Sequence, residues 1–337
     1  MLVQQIKKLD RVGKLTKKQK IIKGITECIL DDVLEEGDML PSVNDLSGKL
    51  GYSRETVVKA YKILKDRGIL NAKHGLGYFI SNSATDQKLT IALVMYGFQS
   101  FQQTFYNTLR KSLGEDFQVD VFFHHNNRRM YKTILNDVKA QYGLYVVAPI
   151  QTEESAEMLC EFPTDKLLLV DRYQFVSEKT AHITQEFETS LTTVFNSLEE
   201  RFRDFEKIIL FYRDDIDYQP KGIFNAFQNF CKEKHISFEH HKEYESSLLK
   251  KNVVYFTIGD SDLWALLKDC KGQGLIPGKD IGILSHNESP VKEIIEGGIT
   301  TFSTDFTDMA VKAADFIKER KIVKEIVPSK LIRRQSL

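Results

Sequence analysis

The feature that most limits what this chain can fold into is a change of period between Lys20 and Ile80. Ile21, Ile22, Ile25, Ile29, Leu30 and Val33 recur at helical spacing and stop at Glu36-Gly37. After Leu40-Pro41-Ser42 a second apolar pair, Leu46 and Leu50, keeps that spacing until Gly51-Tyr52 breaks it. Ser53 can cap a further helix whose apolar face is Val57, Ala60, Tyr61 and Leu64. Beyond Gly68 the period shortens: Ile69-Leu70, the stretch Asn71 to His74, glycines at 75 and 77, then Tyr78-Phe79-Ile80. The order is helix, tight turn, helix, then a two-stranded hairpin with a flexible basic tip.

The same segment is the positive end of a neutral chain. Residues 1 to 80 hold 15 Lys and Arg against 10 Asp and Glu, and the rest holds 32 against 37. The positive end suits phosphates. A lysine-rich run such as Lys14 to Lys23 reads equally well as a solvated face, so charge alone decides nothing. At 337 residues the chain allows two or three domains. No hydrophobic run approaches the ~20 residues that span a bilayer, and MLVQQIKKLD lacks the apolar core of a signal peptide. A cytoplasmic protein is expected. Cys28, Cys160, Cys231 and Cys270 are scattered without a C-x-x-C pair, so buried free thiols are expected instead of disulfides or a zinc site.

Residues 20 to 80 closely resemble the GntR family of bacterial regulators. The resemblance is carried by Leu40-Pro41-Ser42, Leu46, Leu50-Gly51-Tyr52-Ser53-Arg54, Thr56-Val57, Ala60-Tyr61, Leu64, Gly68 and Gly75-Leu76-Gly77-Tyr78-Phe79. It implies a winged helix-turn-helix whose recognition helix begins in the major groove with Ser53, Arg54 and Thr56, and whose wing, at His74-Gly75, reaches the minor groove. Arg54 at a helix start has the donor fork to pair with guanine O6 and N7. Asn44 follows Leu-Pro-Ser where the family often has arginine, and Val58 stands where the recognition helix often carries another. Ser42 and Asn44 complete the expected DNA face, and Lys59, with Lys62, reaches phosphates.

From Thr90 onward apolar strands alternate with amphipathic helices. Candidate strands are 91–95, 119–123, 144–148, 167–170, 207–211, 253–258 and 281–284, with helical stretches at 101–113, 130–141, 190–201, 222–234 and 262–269. Continuous apolar strands separated by helices predict parallel sheets covered on both faces, an α/β fold. The polar stretch Ser81 to Lys88 reads as a linker. The expected domains are therefore residues 1–80, the linker 81–88, and 89–337.

A second resemblance narrows the last of these. Gly143-Leu144-Tyr145-Val146-Val147-Ala148-Pro149, Leu168-Leu169-Val170-Asp171-Arg172, Lys221-Gly222-Ile223-Phe224-Asn225-Ala226-Phe227 and Asp262-Leu263-Trp264-Ala265 look like successive landmarks of the LacI/GalR-type, periplasmic-binding-protein-like domain. Ile276 to Gly282, Ile299-Thr300-Thr301, Asp305, Met309, Ala313-Ala314 and the tail Leu331 to Ser336 follow in order. A GntR-type reader joined to such a domain is the arrangement of AraR-like sugar regulators. It implies two lobes that close on a small sugar, dimerisation through this domain, and a two-fold symmetric double-stranded DNA operator. Release from DNA by the sugar, and hence a repressor, is the expected mode. A weaker resemblance, in Gly282 to Pro290 and Gly298 to Phe306, is to regulators of L-fucose or L-arabinose use.

By position in that resemblance Lys221, Asp262 and Asn287 are the polar effector ligands. Arg172 follows a strand, and Phe98, Phe101 and Phe105 offer aromatic faces to a sugar ring. Alternatives stand beside these: Asp171-Arg172 as a structural ion pair, Asp260 in place of Asp262 if the register slips by two, and the phenylalanines as ordinary core. His124-His125 and His240-His241 are adjacent, whereas two ligands on one helix face need i, i+4 spacing. Asp260-Ser261-Asp262 and Gly272-Gln273-Gly274 lack the setting of a catalytic or nucleotide motif. No metal, cofactor or enzyme activity is expected. The open alternatives are a regulator answering to a non-sugar metabolite and a winged helix fused to a pyridoxal-phosphate transaminase-like domain.

Overall fold

The computed structural model describes residues 2–9, 15–31, 33–73, 75–81, 89–139, 141–213 and 219–337. Most of the expected linker, 82–88, therefore lies outside the described residues. By backbone contacts the chain divides into two compact units. One holds Met1–Leu93 with Leu113–Val121 and Asp137–Tyr145, and the other holds Val94–Ser112, Phe122–Asn136 and Val146–Leu337.

The first unit begins with helices α1 (Leu2–Lys8), α2 (Lys17–Leu30), α3 (Val43–Leu50) and α4 (Arg54–Asp66), followed by strands β1 (Leu70–Lys73) and β2 (Gly77–Ile80). Thr16 caps α2 in a reciprocal capping box with Gln19. Gly24 sits inside α2 because a Cβ there would lie 2.5 Å from Ile6 Cγ1 of α1. The break between α3 and α4 follows from Gly51, whose φ of 68° ends α3 while its N–H bonds Ser47 O. Ile6, Ile21, Ile25, Leu46, Val57, Tyr61, Leu64 and Ile80 share one core. Tyr61, fully buried, donates its hydroxyl to Pro41 O at 2.8 Å, so its polar end is satisfied where its ring packs. β1 and β2 pair antiparallel, Leu70 opposite Ile80 and Lys73 opposite Gly77, and Met39 adds a bridge to Phe79.

The remaining elements are β3 (Leu89–Met95), α5 (Ser100–Leu113), β4 (Phe117–Phe123), α6 (Arg128–Val138), β5 (Leu144–Val147), α7 (Glu153–Cys160), β6 (Leu167–Asp171), β7 (Ala181–Glu186) and α8 (Glu188–Phe202). They continue with β8 (Lys207–Phe211), α9 (Lys221–Glu233), β9 (Phe238–His241), β10 (Val253–Thr257), α10 (Asp260–Gln273), β11 (Gly282–His286), α11 (Pro290–Ile294), β12 (Thr300–Thr304), α12 (Phe306–Glu319) and β13 (Lys324–Ile332). The strands stand in the order β4-β3-β5-β6-β7-β13-β12-β11-β10-β8-β9. The sheet is mixed: β8, β10, β11 and β12 pair parallel, as do β6, β7 and β13, but β12 and β13 run antiparallel.

Strand β13 joins the two halves of the sheet. Residues 324–328 pair with β7 and residues 329–332 with β12. Pro328, which has no N–H to give a ladder, stands at the changeover. The period-2 rule explains how β8 and β10 serve two cores. Ile208, Leu210, Val254 and Phe256 face Phe195, Phe227 and Phe230 of α8 and α9. Ile209, Phe211, Val253 and Tyr255 face Leu263 and Leu266 of α10. Cys28, Cys231 and Cys270 are buried free thiols as expected, but Cys160 is exposed at the end of α7, a correction that follows from its place at the last turn of that helix. Among the described residues no helix is long and apolar enough to cross a membrane.

Candidate functional site

Two polar constellations stand out, one exposed and one buried. The exposed one is the start of α3 and α4. Ser42 caps α3, accepting Asp45 N–H at 3.1 Å, and Asn44 is exposed in its first turn. Ser53 caps α4, accepting Thr56 N–H at 3.2 Å, and its Oγ lies 2.7 Å from Thr56 Oγ1. Arg54 is the first residue of α4 and is exposed. One turn on, Lys59 reaches back to Glu55 at 2.8 Å, and that contact holds the Glu55 carboxyl below its usual range. Gly75, at φ 73°, is exposed at the hairpin tip; His74 lies outside the described residues.

The buried constellation lies in the second unit, at the carboxyl ends of its strands. Tyr96 after β3, Arg172 after β6, Arg213 after β8, Gly259 after β10, and His286 with Asn287 at the end of β11 line a cavity of about 170 Å³. An adjoining space of about 470 Å³ shares Arg172, Gln185, Gln219 and Pro220 with it and adds Lys221 from the first turn of α9. Small-molecule sites typically run from about 300 to 1,000 Å³, so the joined space is of that order.

A network ties this wall together. Gln185 donates to Asp171 Oδ1, and its Oε1 accepts from the Thr304 hydroxyl at 2.8 Å, which itself pairs with Ser329 Oγ at 2.7 Å. Burial pushes the Asp171 carboxyl up, against the pull of Arg172 and Gln185. The Arg172 guanidinium lies 3.6 Å from Asp171 and 4.6 Å above the Phe187 ring, a cation–π arrangement. Asp262 is buried and accepts Tyr244 N–H at 3.0 Å. Asp260, two residues before, instead meets the buried ammonium of Lys292 at 2.7 Å. Asp171 and Asn287, at φ 66° and 61°, occupy the left-handed region that Asp and Asn tolerate better than most residues. Such strain at strand ends is common where side chains are aimed at a ligand.

Residues 17–80 match the model of the bacterial regulatory proteins of the gntR family. Residues 17–80 are a GntR-type helix-turn-helix domain. Over 66 residues, 20% of this chain and 51% of the relative, it is 38% identical to the HTH-type transcriptional repressor YtrA of Bacillus subtilis. It is also 38% identical over 64 residues, 19% of this chain and 53% of the relative, to the HTH-type transcriptional regulator Rv1152 of Mycobacterium tuberculosis. The chain thus spans about half the length of the curated relatives it matches. Outside the GntR-type domain the fold is that of periplasmic-binding-protein-like LacI regulators. A LacI family transcriptional regulator from Lactobacillus casei with bound sucrose superposes with a TM-score of 0.63 at 13% identity, covering 74% of this chain and 99% of that one. The trehalose repressor from Escherichia coli gives 0.61 at 14%, covering 72% and 99%. A periplasmic binding protein/LacI transcriptional regulator from Alkaliphilus metalliredigens complexed with D-xylulofuranose gives 0.58 at 14%, covering 74% and 99%.

Of the expected effector residues, Phe101, Arg172, Asp262 and Asn287 line the smaller cavity and Lys221 the adjoining space. Phe98 lines neither: it is 54% exposed and packs edge-on against Tyr106 and Phe123. Phe105 is buried beside Phe101, Phe306 and Met309, one turn deeper along α5, and faces core. Sequence reasoning alone does not reach Tyr96, Gln185, Arg213, Gln219 and His286. Tyr96, Arg213 and His286 obey a simple rule that could have found them, since each stands at or just after the carboxyl end of a strand. Gln185 has no such signal, because residues 181–186 do not read as a strand. His124, the first of an adjacent histidine pair, points its Nε2 at Ala148 O at 3.2 Å and accepts Asn126 N–H at 3.1 Å, so both ring nitrogens are used.

Proposed function

We propose that this chain is a transcriptional regulator that binds a two-fold symmetric DNA operator as a homodimer and is controlled by a sugar held at the carboxyl ends of its strands. The observation that carries the reading is the pairing, in one chain, of a GntR-type domain with a cavity lined by polar side chains, several of them buried, at the carboxyl ends of the strands of a periplasmic-binding-protein-like fold. Arg54 is assigned to base reading, Ser42, Asn44, Ser53, Thr56 and the wing around His74-Gly75 to the groove and backbone, and Lys59 to phosphate. Arg172, Lys221, Asp262 and Asn287 are assigned to sugar hydroxyls, with Phe101 against the ring's C–H face. Related folds hold sucrose or D-xylulofuranose, which favours a carbohydrate here. Within that class the sequence resemblance favours a monosaccharide of the L-fucose or L-arabinose type, acting as inducer on a repressor in the cytoplasm. The domains assigned are 1–80 for DNA, 81–88 for the link and 89–337 for effector and dimer.

The test is fluorescence anisotropy of the full-length protein on its own upstream DNA, with and without L-fucose, L-arabinose and a panel of amino acids and acyl compounds. Salt-sensitive, sequence-preferring binding that a sugar weakens is the expected result. Release by an amino acid or acyl compound alone would refute the sugar assignment, and failure to prefer any DNA sequence would refute the whole.

A further inference from the structure

The turn that closes β11 carries two buried polar atoms without a protein partner among the described residues, one on Asn287, already assigned to a sugar hydroxyl, and one on His286, which the assignment above does not use. His286 is 4% exposed, and Asn287 follows it at φ 61°. Both backbone carbonyls accept from Lys292 Nζ at 2.8 Å, and the same ammonium meets Asp260 Oδ1 at 2.7 Å. The Lys292 side chain is 1% exposed, so an ammonium has been taken out of water to fix this turn against the start of α10. The His286 ring is held as firmly: it stacks on Phe302 at 5.5 Å and meets Phe187 edge-on at 6.2 Å. Among the described residues neither His286 Nε2 nor Asn287 Oδ1 has a hydrogen-bond partner, although both atoms are buried and both residues line the cavity. Leaving such an atom unsatisfied typically costs about 1–3 kcal/mol.

We propose that His286 and Asn287 together read neighbouring hydroxyls of the bound ligand, with Lys292 as the positioning residue that presents them; this rests on the sugar reading above. Asn287 Oδ1 accepts only, so it needs a ligand O–H or N–H. The imidazole is neutral, since burial, with Lys292 and Arg172 near it, pushes His286 down to about 3. Its Nε2 therefore offers one donor or one acceptor, and a hydroxyl satisfies either. A ligand ammonium would face the two cations that already flank His286. A ligand carboxylate has no hydrogen for Asn287. Adjacent hydroxyls meet both requirements without bringing a charge, which makes this pair favour a neutral polyol edge over a charged group at this end of the cavity.

Calorimetric titration of the full-length protein with L-fucose, L-arabinose, D-galactose and D-glucose identifies the sugar that binds, and its single-site deoxy forms are then titrated. His286→Phe is expected to lose roughly 10- to 100-fold in affinity. His286→Gln, whose side-chain amide reaches toward the Nε2 position, keeps most of it. One deoxy form binds the wild type weakly but loses nothing further in His286→Phe, and a deoxy form at an adjacent carbon behaves likewise with Asn287→Ala. Lys292→Met flattens the discrimination among deoxy forms. If His286→Phe weakens every deoxy form by the same factor, or binds the parent sugar like the wild type, the assignment of His286 falls while the sugar reading stands. If the folded wild type binds none of the four sugars, both fall.

Discussion

The first turn of α4 and the turn after β11, the two places assigned above to ligand contacts, hold their polar side chains in opposite surroundings. At α4, Arg54 is exposed and Lys59 is shared with Glu55 at the surface, where salt screens an ion pair. After β11, His286 and Lys292 are almost wholly out of water, and every contact there is held by another. The first arrangement suits a partner that brings its own dense charge, with affinity tuned by ionic strength. The second suits a small neutral partner whose few hydrogen bonds must each count, and its cost appears as sensitivity to acid.

That sensitivity is the largest effect expected. His286 and His124, pushed down by burial to about 3 and about 4, stay neutral in the fold while the unfolded chain takes up protons near its ordinary value of about 6.5. The sign follows: their contribution is whole above pH ~6.5 and is lost as pH falls toward their folded values, at up to about 1.4 kcal/mol per pH unit for each group. Asp171, pushed up, works in the opposite sense. Scanning calorimetry of the full chain should show a thermal midpoint that drops between pH 7 and 5, and the drop should be shallower in His286→Phe. An unchanged slope in that variant would mean that His286 is not held neutral.

Next in size is the coupling between the two regions. Saturating effector should lower operator affinity about 5- to 150-fold, with the same factor in reverse, the usual span of about 1–3 kcal/mol. Inserting several Gly and Ser residues within 82–88 should blunt that factor while leaving both binding reactions intact. A lengthened protein that kept its full response would exclude rigid repositioning through this segment. Asp262→Ala and Asn287→Ala should each weaken effector binding by about 1–3 kcal/mol without changing operator affinity in the absence of effector; calorimetry and anisotropy on the same preparations check both halves.

On the exposed side the effects differ in kind and run from a comparable loss down to the mildest of the set. Arg54→Ala should cost about 1–3 kcal/mol on operator DNA and relax preference at one position per half-site. Equal loss on operator and random DNA would remove Arg54 from base reading. Lys59→Ala should weaken all DNA alike and lower the slope of log affinity against log salt by about one. Because Lys59 must first leave Glu55, that change is expected to be the mildest of the set.

The same contrast explains what is legible in the sequence and what is not. The GntR-type domain announces itself because its parts are local: Gly51 makes the turn, Ser42 and Ser53 cap the helices they precede, and Gly75 bends the hairpin. The seven apolar strands that follow are readable for the same reason, six being short runs of buried residues and β4 an apolar run that is mostly half-buried. Strands β7, β9, β12 and β13 are not, since segments such as AHITQE and KEIVPSKLI mix charge, amide and proline with apolar residues and take their pairing from distant segments. At the cavity, residues placed by the resemblance converge where they stand on strand or helix ends, as Arg172, Lys221, Asp262 and Asn287 do. Phe98 and Phe105 do not: Phe98 stands before α5 begins and is exposed, and Phe105 lies one turn beyond Phe101 against Phe306 and Met309, so only Phe101 meets the opening. The role of Lys292 depends on contacts with residues 260, 286 and 287, and a lysine after Pro-Val carries no sign of burial.

Strand β13 follows every other strand in the chain and yet stands in the middle of the sheet. On a ribosome, where domains form from the N-terminus onward, the GntR-type domain can be complete while β7 and β12 still have bare edges facing one another. Those edges are templates for the wrong strand until Lys324 to Ile332 emerges between them. The GntR-type domain can therefore be complete well before the domain that follows it, and the interval between the two is set by the time needed to translate the segment that ends in this one strand.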